Sequence, residues 1–383
     1  MNNLIIGNIY TYWLLRILLV SVLTFCGWGI AQKDKTGKDF WKWATPALIL
    51  YSLIQGLRYM RGQDYYHYKQ DLEGNLFTDY QDQIYLLWLD LFHSTRLHYA
   101  VGFVFYSFIL FLSFLLVVKR FPKTAMWALP LFLLMLPETE NLIRQYFATS
   151  FFLLALYSLY NNKRKKVIIF LLICLGIHFS SFIPMLLLLF ILTVKIENKI
   201  NRPWLLVAIY IFVYYFWEPS WFSFITDSLK MINLNDDSIS AHYIGNADRW
   251  FSEEGSISLV LGTKKATASI ISKSVNFLSN ASMIWYGYIA MKNNKKINII
   301  YWFSYFALII KTLGGDIEMY SRISQWFIYL TPILYGAIFA YTPLKHFEKL
   351  ALIILFLITW GFYGFIRNFG DIGYAGCAFI WDI

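Results

Sequence analysis

The chain has 383 residues, of which 58% are hydrophobic and only 15% charged, with a net charge of +10 and a mean hydropathy of +0.50. A soluble domain is roughly 45–50% apolar and spaces its apolar residues at the period of a helix face or a strand; here they form unbroken runs such as Val101–Val118 and Leu350–Phe365. Helices that are apolar all round belong in lipid, which excludes a soluble enzyme. The basic residues sit in short loops rather than in a stripe with exposed aromatics, which excludes nucleic acid as a partner.

The first run, residues 8–30, lacks the basic start and small-residue cleavage site of a signal peptide and is read as a span. Lysine-rich loops then punctuate the chain at Lys33–Lys42, Lys119–Lys123, Asn161–Lys166, Lys195–Arg202, Lys292–Lys296 and Lys345–Lys349. If all face the cytoplasm, an even number of spans lies between neighbours. Spans fall at 43–58, 97–118, 124–137, 143–160, 167–178, 183–194, 203–217, 274–291, 297–313, 322–342 and 350–366. This predicts an all-α integral membrane protein of about twelve spans, a single polytopic domain over residues 1–383 with both termini outside. Residues 167–194 are read as two short helices folded back at His178–Pro184, with one long tilted helix as the alternative. Two longer outer segments remain, 58–99 and 218–273, and the first is expected to carry an amphipathic interfacial helix at Ile84–Phe92.

The arginines are distributed unlike the lysines. Of eleven, only Arg120, Arg164 and Arg202 lie in the lysine loops. Topology alone would be served by lysine anywhere, whereas the planar guanidinium fork binds phosphate or carboxylate through paired hydrogen bonds. The bias predicts an anionic ligand on the outer side. Five polar clusters fall at outer span ends: Arg58–Tyr68, Pro137–Gln145, His178–Ser181, Gly314–Arg322 and the tail from Arg367 through Tyr374. Ionisable groups near membrane depth are costly and mark substrate pathways. Each also has a plainer reading. Arg58 and Arg61 suit headgroup anchoring, Asp64 a solvated loop, His178 a packed core position, and Glu138 and Glu140 the capping of the next helix. Arg144 and Arg322, in the first turns of apolar helices, need anionic partners. Asp236 and Asp237 lie in a polar loop and read as solvated. The cysteines Cys26, Cys174 and Cys377 show no metal or redox spacing, so neither metal nor cofactor is expected.

The string RYMRGQDYYHY at Arg58–Tyr68 resembles the R-x-x-x-G-x-D-x-x-x-Y signature of EpsG/Wzy-type polysaccharide polymerases. NLIRQYFA at Asn141–Ala148, GIHFSSFI at Gly176–Ile183 and YSRISQWF at Tyr320–Phe327 are similar, in order, to that family's later motifs; span one and residues 218–273 match nothing in it. The resemblance implies a GT-C-like membrane glycosyltransferase working without nucleotide sugar or metal in the bacterial inner membrane, its active face periplasmic. Its substrates would be undecaprenyl-pyrophosphate-linked oligosaccharides, the growing glycan moving from lipid pyrophosphate to the non-reducing sugar of the next unit, with a chain-length regulator as a further partner. Asp64 and His178 stand as candidate bases, with Glu138 and Glu140 behind them. Arg58, Arg61, Arg144 and Arg322 would hold pyrophosphate or orient the acids. Tyr65 and Tyr68 would meet sugar, with Asn141, Gln145, Ser180, Asp316, Glu318 and Tyr320 completing the binding set. The competing readings are a flippase for the same lipid, which should carry polar residues deep in its spans and on both faces, and a membrane acyltransferase. The mid-span regions are nearly free of charge, which favours one-sided chemistry.

Overall fold

A backbone in lipid must satisfy its own hydrogen bonds, so apolar runs fold as helices wherever they occur. In the computed structural model the described residues are 7–33, 38–62, 64–75, 82–133, 140–196, 200, 202–218, 270–314, 317–359 and 377–382. All regular structure among them is helical apart from one isolated bridge. The helices are α1 (Ile9–Gln32), α2 (Phe40–Gly56), α3 (Tyr65–Leu72), α4 (Gln83–Ser94), α5 (Tyr99–Val118), α6 (Ala125–Phe132), α7 (Ile143–Tyr160) and α8 (Arg164–Ile177). There follow α9 (Phe182–Val194), α10 (Pro203–Tyr215), α11 (Ile270–Asn293), α12 (Asn298–Gly314), α13 (Glu318–Gln325), α14 (Thr331–Tyr341) and α15 (His346–Phe356).

Helix occupies the described part of every run assigned as a span, with most described ends within about four residues of the expected ones. Four segments among the described residues are long and apolar enough to cross a membrane: Ile9–Gln32, Tyr99–Val118, Lys295–Gly314 and Met319–Tyr341. Two departures matter. The last of these segments is not one continuous helix, because Trp326 and Phe327 form a turn and Ile328–Leu330 a 3-10 turn between α13 and α14. The segment after α2 holds a helix, α4, where the amphipathic one is expected, but also a shorter helix, α3, that apolar periodicity does not reveal. The break at His178 is present: φ −153° and ψ 111° put that residue in extended backbone, and a 3-10 turn at Phe179–Ser181 separates α8 from α9. The expected hairpin is replaced by a different packing, in which α8 lies along α7 rather than along α9.

The chain divides into two units, residues 1–190 with 332–383, and residues 191–331. In the first unit, α1 packs on α2 and α6, α2 on α5, and α5 on α7. Helices in lipid associate through close packing rather than hydrophobic expulsion. Accordingly Gly27 of α1 sits against the backbone of Ala125 in α6 with no room for a Cβ, and Tyr51 stacks on Phe111 at 4.5 Å between ring centres. In the second unit, α10 packs on α11 and α12 on α13, with the Tyr305 hydroxyl donating to the Leu206 carbonyl at 3.4 Å.

Candidate functional site

Where α2 ends, the chain turns sharply through Arg58–Gly62 before α3 begins. Met60 and Gly62 both take positive φ, 50° and 99°. At Gly62 a side chain would also collide with the Glu140 carbonyl, so this position needs glycine on both counts. The turn is fixed from the far end of the chain. The Tyr59 amide donates to the Ala378 carbonyl at 2.9 Å and the Ile380 amide to the Leu57 carbonyl at 3.0 Å, so residues 377–382 form a strap over residues 57–59.

Three arginines converge under this turn. Arg16 of α1, Arg58 and Arg61 are 1%, 3% and 0% exposed, and the acid among them is Glu140, 6% exposed. Arg16 Nη2 donates to Glu140 Oε1 at 2.8 Å. The Gln55 amide, oriented by its hydrogen bonds, donates to the same oxygen at 3.0 Å and accepts from Arg16 Nη1 at 2.7 Å. Arg58 donates to the Gln55 carbonyl and lies over the Tyr65 and Phe103 rings. Arg61 is different. Its Nε stands 3.6 Å from Glu140 Oε1, and none of its three nitrogens has a hydrogen-bond partner among the described residues. Its guanidinium is instead held between the rings of Tyr12 and Phe379, at 4.8 and 5.0 Å.

The electrostatics follow from three cations sharing one carboxylate. Burial pushes the Glu140 carboxyl up, but Arg61, Arg16 and Arg58 together outweigh it and hold the group below the usual carboxylate range. Burial lowers the Arg61 guanidinium to about 10, with Glu140 offsetting part of the effect; it therefore stays charged at neutral pH. The described centre is net cationic by two charges, in surroundings where an uncompensated charge is expensive, and a second anion there would be strongly favoured. The cavity beside it, between α2, α5 and α7, is lined by Gln55, Arg58, Tyr106, Ser107 and Tyr146 among others. Its volume is about 20 Å³, room for a water-sized group and far too little for a sugar ring.

A second polar centre lies one turn along the same stretch. Arg144, in the first turn of α7, donates to Asp82 Oδ2 at 2.7 Å, and Asp82 Oδ1 accepts the Phe179 amide at 3.1 Å. One carboxylate thus neutralises Arg144 and caps the 3-10 turn after His178. Burial raises the Asp82 carboxyl above its ordinary value, with Arg144 and the Phe179 amide pulling the other way. Ser180 Oγ lies 3.0 Å from His178 Nδ1.

The expected residues therefore separate into groups. Arg58, Arg61, Tyr65 and Glu140 come together, while Arg144 and the turn that carries His178 and Ser180 meet at Asp82. Tyr65 is fully buried: it stacks on Phe103 at 4.5 Å and 8° and donates its hydroxyl to the Arg58 carbonyl at 2.9 Å, which supports the turn. Tyr68 and Asn141 are half-buried and Gln145 is buried. Asp64 is half-buried at the start of α3, where its carbonyl accepts the Tyr68 amide at 3.2 Å and its carboxylate does not cap the helix. Arg322 and Tyr320 are half-buried on α13, in the other unit, where Tyr320 packs on Gly314. Glu138 and Asp316, the Glu318 side chain and residues 367–374 lie outside the described residues.

Four participants escaped the sequence reading: Arg16 as part of this centre, Gln55, Asp82 and Phe379. Arg16 alone left a trace, as an arginine within an apolar run. Among known proteins, the family model described as "EpsG family" matches residues 42–373. No curated protein and no solved structure matches significantly.

Proposed function

The chain belongs to the EpsG family of Wzy/EpsG-type polysaccharide polymerases, and from that premise we propose that its arginine centre, closed in this structure, opens to receive the pyrophosphate of a lipid-linked glycan during polymerisation. The observation that carries this is Arg61, a buried guanidinium with five N–H donors and no hydrogen-bond acceptor among the described residues. Buried polar groups are almost always satisfied, and pyrophosphate oxygens match the guanidinium fork.

In the proposed reaction, a hydroxyl of the acceptor unit's non-reducing sugar attacks the anomeric carbon of the donor glycan. A glycosidic C–O bond forms as the bond from that carbon to the pyrophosphate oxygen breaks. The electron pair leaves on the undecaprenyl pyrophosphate, and the hydroxyl proton passes to a base. Charge on the departing oxygen grows toward the transition state, so a cation fixed beside it accelerates the step. Glu140 is committed to Arg16 and Gln55 through Oε1 and is assigned to holding the cations. This leaves Asp64, or His178 through Nε2 because its Nδ1 faces Ser180, with Glu138 behind them. Arg144 is assigned to positioning through Asp82, and Arg322 to a second contact with the lipid-linked substrate. Tyr68 is assigned to the glycan. On the same reading the protein is a metal-independent, GT-C-like enzyme of about twelve spans in the bacterial inner membrane, with this centre on the periplasmic side and a chain-length regulator as partner.

The test is purified protein in detergent with a synthetic lipid-pyrophosphate repeat unit and no nucleotide sugar. A product ladder spaced by one unit, with release of lipid pyrophosphate, is expected. Arg61→Gln should lower its initial rate by about a hundredfold or more, the scale of losing one transition-state charge contact. An unaffected ladder in that variant would sink the assignment of the site.

A further inference from the structure

How Glu140 is shared decides which arginine is left over. Its Oε1 takes Arg16 at 2.8 Å and the Gln55 amide at 3.0 Å, while Arg61 Nε stands off at 3.6 Å. Arg16 is itself locked, because its other terminal nitrogen donates to the Gln55 amide oxygen at 2.7 Å. A guanidinium and a carboxylate free to choose would close to about 2.8 Å, often through two parallel hydrogen bonds. Arg61 and Glu140 do not: Oε1, the oxygen nearest Arg61, already accepts from Arg16 and Gln55. Tyr12 and Phe379 then stabilise the Arg61 cation through their ring faces without offering it an acceptor. Arg16, Tyr12 and Phe379 all lie outside residues 42–373, the part of the chain that the family match covers.

We infer that Arg16 is a positioning residue: by occupying Glu140 it keeps that carboxylate off Arg61 and so keeps the Arg61 donors open to a phosphate-class oxyanion. The inference rests on the reading that this centre takes pyrophosphate. Without Arg16, Glu140 swings onto Arg61, and the protein supplies internally the anion that the substrate should bring.

The experiment measures binding of inorganic pyrophosphate to the full-length protein by calorimetry. Arg16→Gln should weaken binding by about tenfold or more, the equivalent of one charge-assisted contact turned over to a competitor. Arg16→Lys, which keeps a cation on Glu140, should bind within about threefold of the parent. The decisive variant is the double change Arg16→Gln with Glu140→Gln. Removing the competing carboxylate should restore binding to within about threefold of the parent, an outcome that neither direct ligation by Arg16 nor a purely structural role predicts. A double variant as weak as Arg16→Gln overturns the inference. Should Arg16→Gln not fold, the double variant alone still decides, because it removes both partners of the ion pair: binding within about threefold of the parent is expected, and binding weakened about tenfold or more overturns the inference. Arg61→Gln separates the two levels. If it binds pyrophosphate like the parent, the anion site itself is refuted; if it loses binding while Arg16→Gln keeps it, only the positioning role falls.

Discussion

Glu140 makes the arginine centre sensitive to acid. Its carboxyl is held below its ordinary value of 4.5 by the surrounding arginines, so the unfolded chain takes up this proton before the folded one does. Stability from Glu140 is therefore complete above about pH 4.5 and is lost as the pH falls through the depressed folded value. Asp82 acts with the opposite sign: burial holds it above 3.8, so acidification relieves it. The two slopes oppose each other, and comparison with Glu140→Gln isolates the first. The melting temperature of the purified protein should fall on acidification below pH 4.5, and Glu140→Gln should be less stable at pH 7 with a flatter acid limb. Equal slopes in the two proteins would show that Glu140 is not the titrating group.

At the scale of elements, Asp82 joins three segments that the sequence shows only separately. It precedes α4, neutralises Arg144 on α7 and caps the turn between α8 and α9. Asp82→Ala should cost about 2–3 kcal/mol, the range for a charge-assisted hydrogen bond whose partner is left unpaired. It should also speed hydrogen exchange at the Phe179 amide, which reads the cap directly. The apolar runs made the helices legible because a helix in lipid needs only length and hydropathy. The break at His178 was legible through Gly176, Pro184 and the polar residues between them. Asp82 was not, since a solvated loop acid and the counter-ion of Arg144 look alike until the partner, 62 residues away, is seen. Arg16 was missed for the same reason, with Glu140 lying 124 positions along. The turn between α13 and α14 leaves no Gly or Pro at Trp326 or Phe327 to announce it.

At the scale of the whole molecule, the arginine centre is closed by segments far apart in sequence: α1, the turn after α2, Glu140 and the strap at 377–382. Phe379 anchors that strap, being 0% exposed and stacked on Trp381 at 4.6 Å. Phe379→Ala should remove about 3–5 kcal/mol of local packing and free the strap from residues 57–59. Cys377 reports this without a label, because it is 1% exposed and burial pushes its thiol up. In a background with Cys26 and Cys174 changed to Ser, maleimide should modify Cys377 many times faster in the Phe379→Ala protein. No change in rate would mean that the backbone pairing alone holds the strap.

The strap also imposes an order in time. It is translated after every described helix of the unit it completes, so throughout synthesis Arg61 exists without the ring that will cover it. A nascent chain therefore passes through a stage in which the Arg61 guanidinium lacks one of its two ring partners. The centre is thus completed only once residues 377–382 have been made.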